Sequence, residues 1–125
     1  MAQPPSPKIV VLVVEDEWLI RINAADMIRE LGYIAIEAHD ADHAITLLER
    51  MPEISVVFTD IQMPGSLDGI RLAAVIRDRW SSIKLLITSG QVRPMAADLP
   101  PGARFLNKPY VLRQLDAELT ALAAA

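Results

Sequence analysis

The stretch Ile9-Val-Val-Leu-Val-Val14 is apolar at every position and rich in β-branched residues, and it runs straight into Glu15, Asp16 and Glu17. A strand with no polar face suits a parallel sheet covered on both sides. The chain has 125 residues, room for one domain. Its 52% hydrophobic and 22% charged residues, with mean hydropathy +0.28, are enough to bury a full core.

The rest of the chain repeats the theme of apolar strand followed by amphipathic helix. From Trp18 to Leu31, Ile20, Ala24, Met27, Ile28 and Leu31 recur at helical spacing, and Gly32 follows as a C-terminal cap. A second strand is expected at about Tyr33 to Ala38. The helix after it, about Asp42 to Met51, carries Ala44, Leu47, Leu48 and Met51 on one face, with Asp40 placed to cap it. A third strand, Ile54 to Thr59, ends at Asp60, and the loop Ile61 to Leu67 leads into a helix from about Asp68 to Trp80. A fourth strand, Ile83 to Thr88, ends at Ser89-Gly90. Pro94, Pro100 and Pro101 restrict the next stretch to a short fourth helix at about Pro94 to Asp98. A fifth strand, Ala103 to Leu106, runs into Asn107-Lys108-Pro109, and a last helix is expected over about Tyr110 to Leu122 with Leu112, Leu115, Leu119 and Leu122 inward. The alternation predicts an α/β domain over residues 8–125, a parallel sheet with helices on both faces, because parallel neighbours need helical crossovers. Residues 1–7, rich in proline, read as a short disordered leader.

Composition removes several functions. There is no Cys, which excludes a disulfide scaffold, a thiolate metal site and a cysteine nucleophile, and points to the cytoplasm. A formal charge of -4 opposes nucleic-acid binding. No signal segment or membrane span is present, so neither export nor insertion is expected.

In open sheets of this kind ligands bind at the carboxyl ends of the strands. Those ends carry Glu15 and Asp16, then Asp60, then Thr88 and Ser89, then Lys108. Carboxylates brought together repel unless a cation neutralises them, which suits a hard divalent ion, Mg2+ best of all. Such an ion leaves positions for phosphate oxygens, and a hydroxyl and an ammonium group can hold the others. The predicted site has no His or Cys ligand, which counts against zinc.

The segments VVEDE, TDIQMPGSLDG, ITSG and FLNKPY, in this order and at these spacings, resemble the receiver domain of two-component response regulators of the chemotaxis-regulator type. The similarity spans about Lys8 to Leu122. It implies a flavodoxin-like fold, a doubly wound five-stranded parallel sheet in the order 2-1-3-4-5. It implies that Asp60 accepts a phosphoryl group from a phosphohistidine of a histidine kinase or histidine phosphotransferase. It further implies that Glu15 and Asp16 are the acidic pair, that Asp16, Asp60 and the backbone carbonyl of Gln62 hold Mg2+, and that Lys108 pairs with phosphoryl oxygens. The Lys108–Pro109 peptide is then expected to be cis. The resemblance also implies a switch in which Ser89, with Thr88 as the fallback, moves toward the phosphoryl group while Phe105 turns inward. Gln62 and Gln91 occupy positions that tune loss of the phosphoryl group. The partners implied are a phosphohistidine donor and an unidentified downstream protein, with the chain a monomer or weak dimer that binds neither nucleic acid nor membrane and catalyses only its own phosphorylation and dephosphorylation.

Some residues depart from the pattern. The loop MPGSLDG has one residue more than the common form, Trp18 stands beside the acidic pair where proline is frequent, placed to shield or report on a metal, and the segment from Gln91 to Gly102 is shortened and rich in proline. His39 and His43 are read as solvated surface and Trp80 as packing. Because the chain ends soon after the last helix, a stand-alone receiver is expected. The competing readings are a phosphorylation-independent adaptor and a Mg2+-dependent aspartyl phosphohydrolase. The second is opposed by Gln62, which stands where such enzymes place a second acid.

Overall fold

The computed structural model describes residues 8–62, 68–90 and 99–124. The elements are β1 (Val10–Val14), α1 (Trp18–Glu30), β2 (Ile34–Ala38), α2 (Ala41–Arg50), β3 (Ile54–Asp60), α3 (Gly69–Arg79), β4 (Lys84–Ser89), β5 (Arg104–Asn107) and α4 (Leu112–Ala124). All strand pairs are parallel, in the order β2-β1-β3-β4-β5 expected from the resemblance. The leader over residues 1–7, the loop residues 63–67, Gln91 and the short helix expected at Pro94 to Asp98 lie outside the described residues.

Strand alternation divides the core into two layers. On one face Leu12, Val14, Val57, Leu85 and Ile87 pack with Ala44 and Leu48 of α2 and with Leu72 and Ile76 of α3. On the other, Val11, Val13, Val56 and Leu86 pack with Ala25 and Ile28 of α1 and with Leu115, Leu119 and Leu122 of α4. The first strand is buried at every position, as a run without a polar face requires. Among the described residues no helix is long and apolar enough to cross a membrane.

Local chemistry explains the helix ends. Asp40 and Asp68 accept from the backbone N–H of His43 and Arg71, at 2.8 and 2.9 Å, and so cap α2 and α3. Gly32 closes α1 at φ 96, a conformation that a side chain disfavours. The last helix begins at Leu112 rather than Tyr110, because the Gln114 side chain reaches back to accept from Val111 N–H at 2.9 Å. It also runs on to Ala124, since alanine is the strongest helix former. Leu112 is only half-buried, and Ile20, expected inward on α1, is 36% exposed above the sheet end.

β3 and β4 each extend one residue further than expected. The ladder continues through the pairs Asp60 with Thr88 and Ser89 with Asn107, so these polar residues are rungs of the sheet. Gly69, the first residue of α3, packs against the end of β3, and its N–H donates to Ile61 O at 2.9 Å. A Cβ there would lie 2.0 Å from the backbone oxygen of Asp60. Gly69→Ala is therefore predicted to destabilise the domain by about 1–3 kcal/mol through forced backbone movement, outweighing the ~1 kcal/mol that alanine gains in a helix. Chemical denaturation measures it, and an unchanged or raised midpoint contradicts the close approach.

Candidate functional site

The site lies where the chain reverses direction across the sheet, between β1 and β3, a place where parallel strands open a crevice at their carboxyl ends. Glu15 directly follows β1, Asp60 is the last residue of β3, Ser89 the last of β4, and Lys108 directly follows β5. Main-chain bonds continue the ladder past the strands: Ile61 N–H donates to Thr88 O and Lys108 N–H to Ser89 O, each at 3.0 Å. The Lys108–Pro109 peptide is cis.

Three of the residues singled out in the sequence touch directly. Lys108 Nζ donates to Asp60 Oδ2 and, at 3.1 Å, to Glu15 Oε1. The remaining carboxylate oxygens are held by main-chain amides, Glu15 Oε2 by Glu17 N–H at 3.1 Å and Asp60 Oδ1 by Gln62 N–H at 3.0 Å. Glu15 is 5% and Asp60 7% exposed, so these are charge-assisted bonds in a partly dry setting, where they are strong. Asp16 and Gln62 are exposed and complete, with Glu17, the lining of a depression over Asp60. Trp18 is 64% exposed and is not among the residues lining that depression, and Ile20 forms its wall instead.

The electrostatics follow from one cation among several acids. Burial first, and then the neighbouring Asp16 and Asp60, push the Glu15 carboxyl up to about 7, against the opposing pull of Glu17 N–H and Lys108. Burial pulls the Lys108 ammonium down, but its bonds to Asp60 and Glu15 prevail and hold it above its ordinary value. Tyr110, packed edge-on against Phe58 with ring centres 5.8 Å apart, has its phenol raised chiefly by burial. The donors are oxygens only and their negative charge exceeds that of Lys108, which suits a hard cation. Among the described residues no group of three or more His, Asp or Glu side chains is gathered closely enough to hold a metal. An ion seated by Asp16 and Asp60 would therefore keep much of its water, as Mg2+ does.

The two candidate hydroxyls lie on opposite faces of β4. Thr88, the fallback, is the one brought to the site: it pairs with Asp60 in the ladder, lines a cavity with Asp60 and Lys108, and donates from Oγ1 to Leu106 O at 2.6 Å. Ser89, two residues beyond Ile87, shares the face on which Ile87 pairs with Phe105 in the ladder. Phe105 is half-buried against the α2/α3 core layer. His39 and His43 stack at 4.4 Å where α2 begins, with His39 N–H donating to His43 Nδ1 at 3.2 Å, and neither lines the acidic depression. Trp80 packs against the core beneath the Arg79 guanidinium, 4.3 Å from its ring centre.

Sequence reasoning missed Arg21. Its Nη1 donates to the backbone carbonyl of Glu15 at 2.9 Å and its Nε pairs with Glu37 Oε1 at 3.3 Å. Charge spacing alone signals only an exposed helix cation, since the bond to a main-chain carbonyl has no side-chain partner to pattern against.

The raised Glu15 carboxyl predicts a pH effect in chelator-treated protein. Its folded value of about 7 lies above the ordinary 4.5, so the stability it contributes is fully present below about pH 4.5 and is lost as pH rises through about 7. Glu15→Gln is expected to flatten this dependence, shifting its stability relative to the parent by about 1–3 kcal/mol in its favour between about pH 5 and about pH 8. Denaturation midpoints at the two pH values measure it, and an equal difference at both contradicts it.

Comparison with known proteins agrees with this geometry. Residues 11–120 match the model of the response regulator receiver domain. The chain is 34% identical over 109 residues to the sensor kinase CckA of Brucella abortus, covering 84% of this chain and 11% of that protein. It is 36% identical over 112 residues to the transcriptional regulatory protein PdtaR of Mycobacterium tuberculosis, covering 84% of this chain and 52% of that protein. The chain thus spans about half or less of the length of these two relatives. In fold it is similar to a response regulator receiver protein from Sinorhizobium medicae, with TM-score 0.87 at 24% identity, covering 94% of this chain and 96% of that one. With the match extending across nearly the whole sheet, the chain belongs to the response regulator receiver domain family.

Proposed function

We propose that this chain is a phosphoacceptor of a two-component system, with Asp60 as the residue that takes the phosphoryl group from a phosphohistidine of a histidine kinase or histidine phosphotransferase. The observation that carries the reading is the pairing of a buried carboxylate at the end of β3 with the Lys108 ammonium that follows β5. An Asp60 oxygen attacks phosphorus while the bond from phosphorus to the donor imidazole nitrogen breaks. The electron pair returns to the imidazole, and the carboxylate needs no general base. Catalysis is then positioning and charge neutralisation. Gln62 N–H orients the carboxylate through Oδ1, and Lys108 can exchange its bond to Asp60 Oδ2 for one to an incoming phosphoryl oxygen.

Asp16, Asp60 and the Gln62 carbonyl, with Glu15 beside them, would hold Mg2+, which would supply the further positive charge that a transferred phosphoryl group requires. For the switch hydroxyl the geometry favours the fallback, Thr88, over Ser89: Thr88 pairs with Asp60 in the ladder and lines a cavity with Asp60 and Lys108, whereas Ser89 lies on the Phe105 face of β4. Movement of that hydroxyl toward the phosphoryl group, with Phe105 turning inward, alters the surface beside β5 that a downstream protein reads. The chain acts in the cytoplasm as a monomer or weak dimer, and it catalyses no reaction besides its own phosphorylation and dephosphorylation.

Incubation with a small-molecule phosphodonor and Mg2+ is expected to raise the intact mass by one phosphoryl group, and Asp60→Asn or removal of Mg2+ to abolish the gain. Equal uptake by Asp60→Asn contradicts the assignment, and partner binding indifferent to that substitution favours the adaptor. Gln62→Ala and Gln91→Ala are expected to change the lifetime of the phosphoryl group, and unchanged decay rates in both rule out a tuning role.

A further inference from the structure

Arg21 stands in the first turn of α1 with its side chain only 18% exposed. Its guanidinium spans two elements: Nη1 donates to the carbonyl of Glu15 at 2.9 Å, and Nε pairs with Glu37 Oε1 on β2 at 3.3 Å. Glu37 is steadied from its other oxygen by Arg29 Nη2 at 3.5 Å. The carbonyl of Glu15 and the N–H of Asp16 belong to one planar peptide unit, so a donor fixed on that oxygen sets the plane from which the Asp16 side chain departs. Glu15 is tied on its other side as well, its N–H donating to Ala38 O at 3.1 Å.

We propose that Arg21 is a positioning residue for the acidic pair, holding the peptide between Glu15 and Asp16 so that both carboxylates face a divalent cation. It acts through the main chain, and it rests on the phosphoacceptor reading above. Arginine suits the task because its rigid fork meets a carbonyl and a carboxylate at once, which the single ammonium of lysine does less well. An exposed ion pair of this kind contributes little, but here the guanidinium is largely shielded and bonded to main chain. Partners behind metal ligands characteristically govern affinity because they restrict the orientation of the ligands.

The test is calorimetric titration of chelator-treated protein with Mg2+, together with hydrogen exchange at the amides of Asp16 and Glu17 in the absence of metal. Arg21→Ala is expected to weaken Mg2+ binding by about 10- to 100-fold, with faster exchange at both amides and an unchanged helix content. Arg21→Lys should recover part of the affinity. Glu37→Gln, which leaves the arginine but loosens its anchor, should show a smaller loss, and it carries the test if Arg21→Ala does not fold. A folded Arg21→Ala or Glu37→Gln protein that is less stable but binds Mg2+ as the parent does overturns the proposal and leaves Arg21 a structural residue. Parent protein with no affinity for Mg2+ overturns the phosphoacceptor reading itself. The exchange measurement then decides the positioning role alone, and unchanged exchange at Asp16 and Glu17 overturns it too.

Discussion

Two carboxylates, Glu15 and Asp60, lie nearly out of water at the end of a parallel sheet and share one ammonium, that of Lys108. Burial of like charges is unfavourable without compensation, and a single cation leaves the balance negative once Asp16 is counted. Burial first, and then the neighbouring Asp16 and Asp60, push the Glu15 carboxyl up to about 7. A site in this condition attracts positive charge and, once that is supplied, phosphate oxygens. The chemistry proposed for the domain is therefore the completion of a charge balance that the protein alone leaves unfinished.

The fold makes this imbalance tolerable by leaving little freedom to relieve it. Asp60 and Ser89 are ladder residues, Lys108 N–H is bonded to Ser89 O, and Gly69 lets α3 approach the backbone of Asp60 closely. Amides of Glu17 and Gln62 take the carboxylate oxygens that Lys108 does not reach. The same rigidity suits phosphoryl transfer, in which in-line placement and fixed dipoles carry most of the catalysis. The opposite faces of β4 separate the adjacent hydroxyls, with Thr88 beside Asp60 and Ser89 turned to the side of Phe105.

Much of this was legible in the residues. The uninterrupted apolar run before Glu15 suited an interior strand, and Asp40 announced the helix it caps, whereas Asp68, read as the first residue of the next helix, proves to be its cap. The polar residues at successive strand ends pointed to one edge before any coordinates did. What escaped depends on contacts between elements distant in sequence. Helix periodicity assigned Ile20 to the core, but the first turn of α1 rises beyond the sheet, so Ile20 lines the acidic depression. The start of α4 was set by a side chain of Gln114 folding back on Val111, which no hydrophobic pattern encodes. Arg21 was invisible because its partner is a carbonyl, and every residue has one. The loop MPGSLDG and the proline-rich stretch from Gln91 lie largely outside the described residues.

The most direct measurement of the central claim is to locate the phosphoryl group chemically. Borohydride reduction of the phosphorylated protein converts an acyl phosphate to the corresponding alcohol, and peptide mapping by mass spectrometry then finds the modified residue. The account predicts a reduced side chain at Asp60 alone. Modification at Glu15 or Asp16, or a phosphoryl group that resists reduction because it sits on His39, His43 or Ser89, would contradict it.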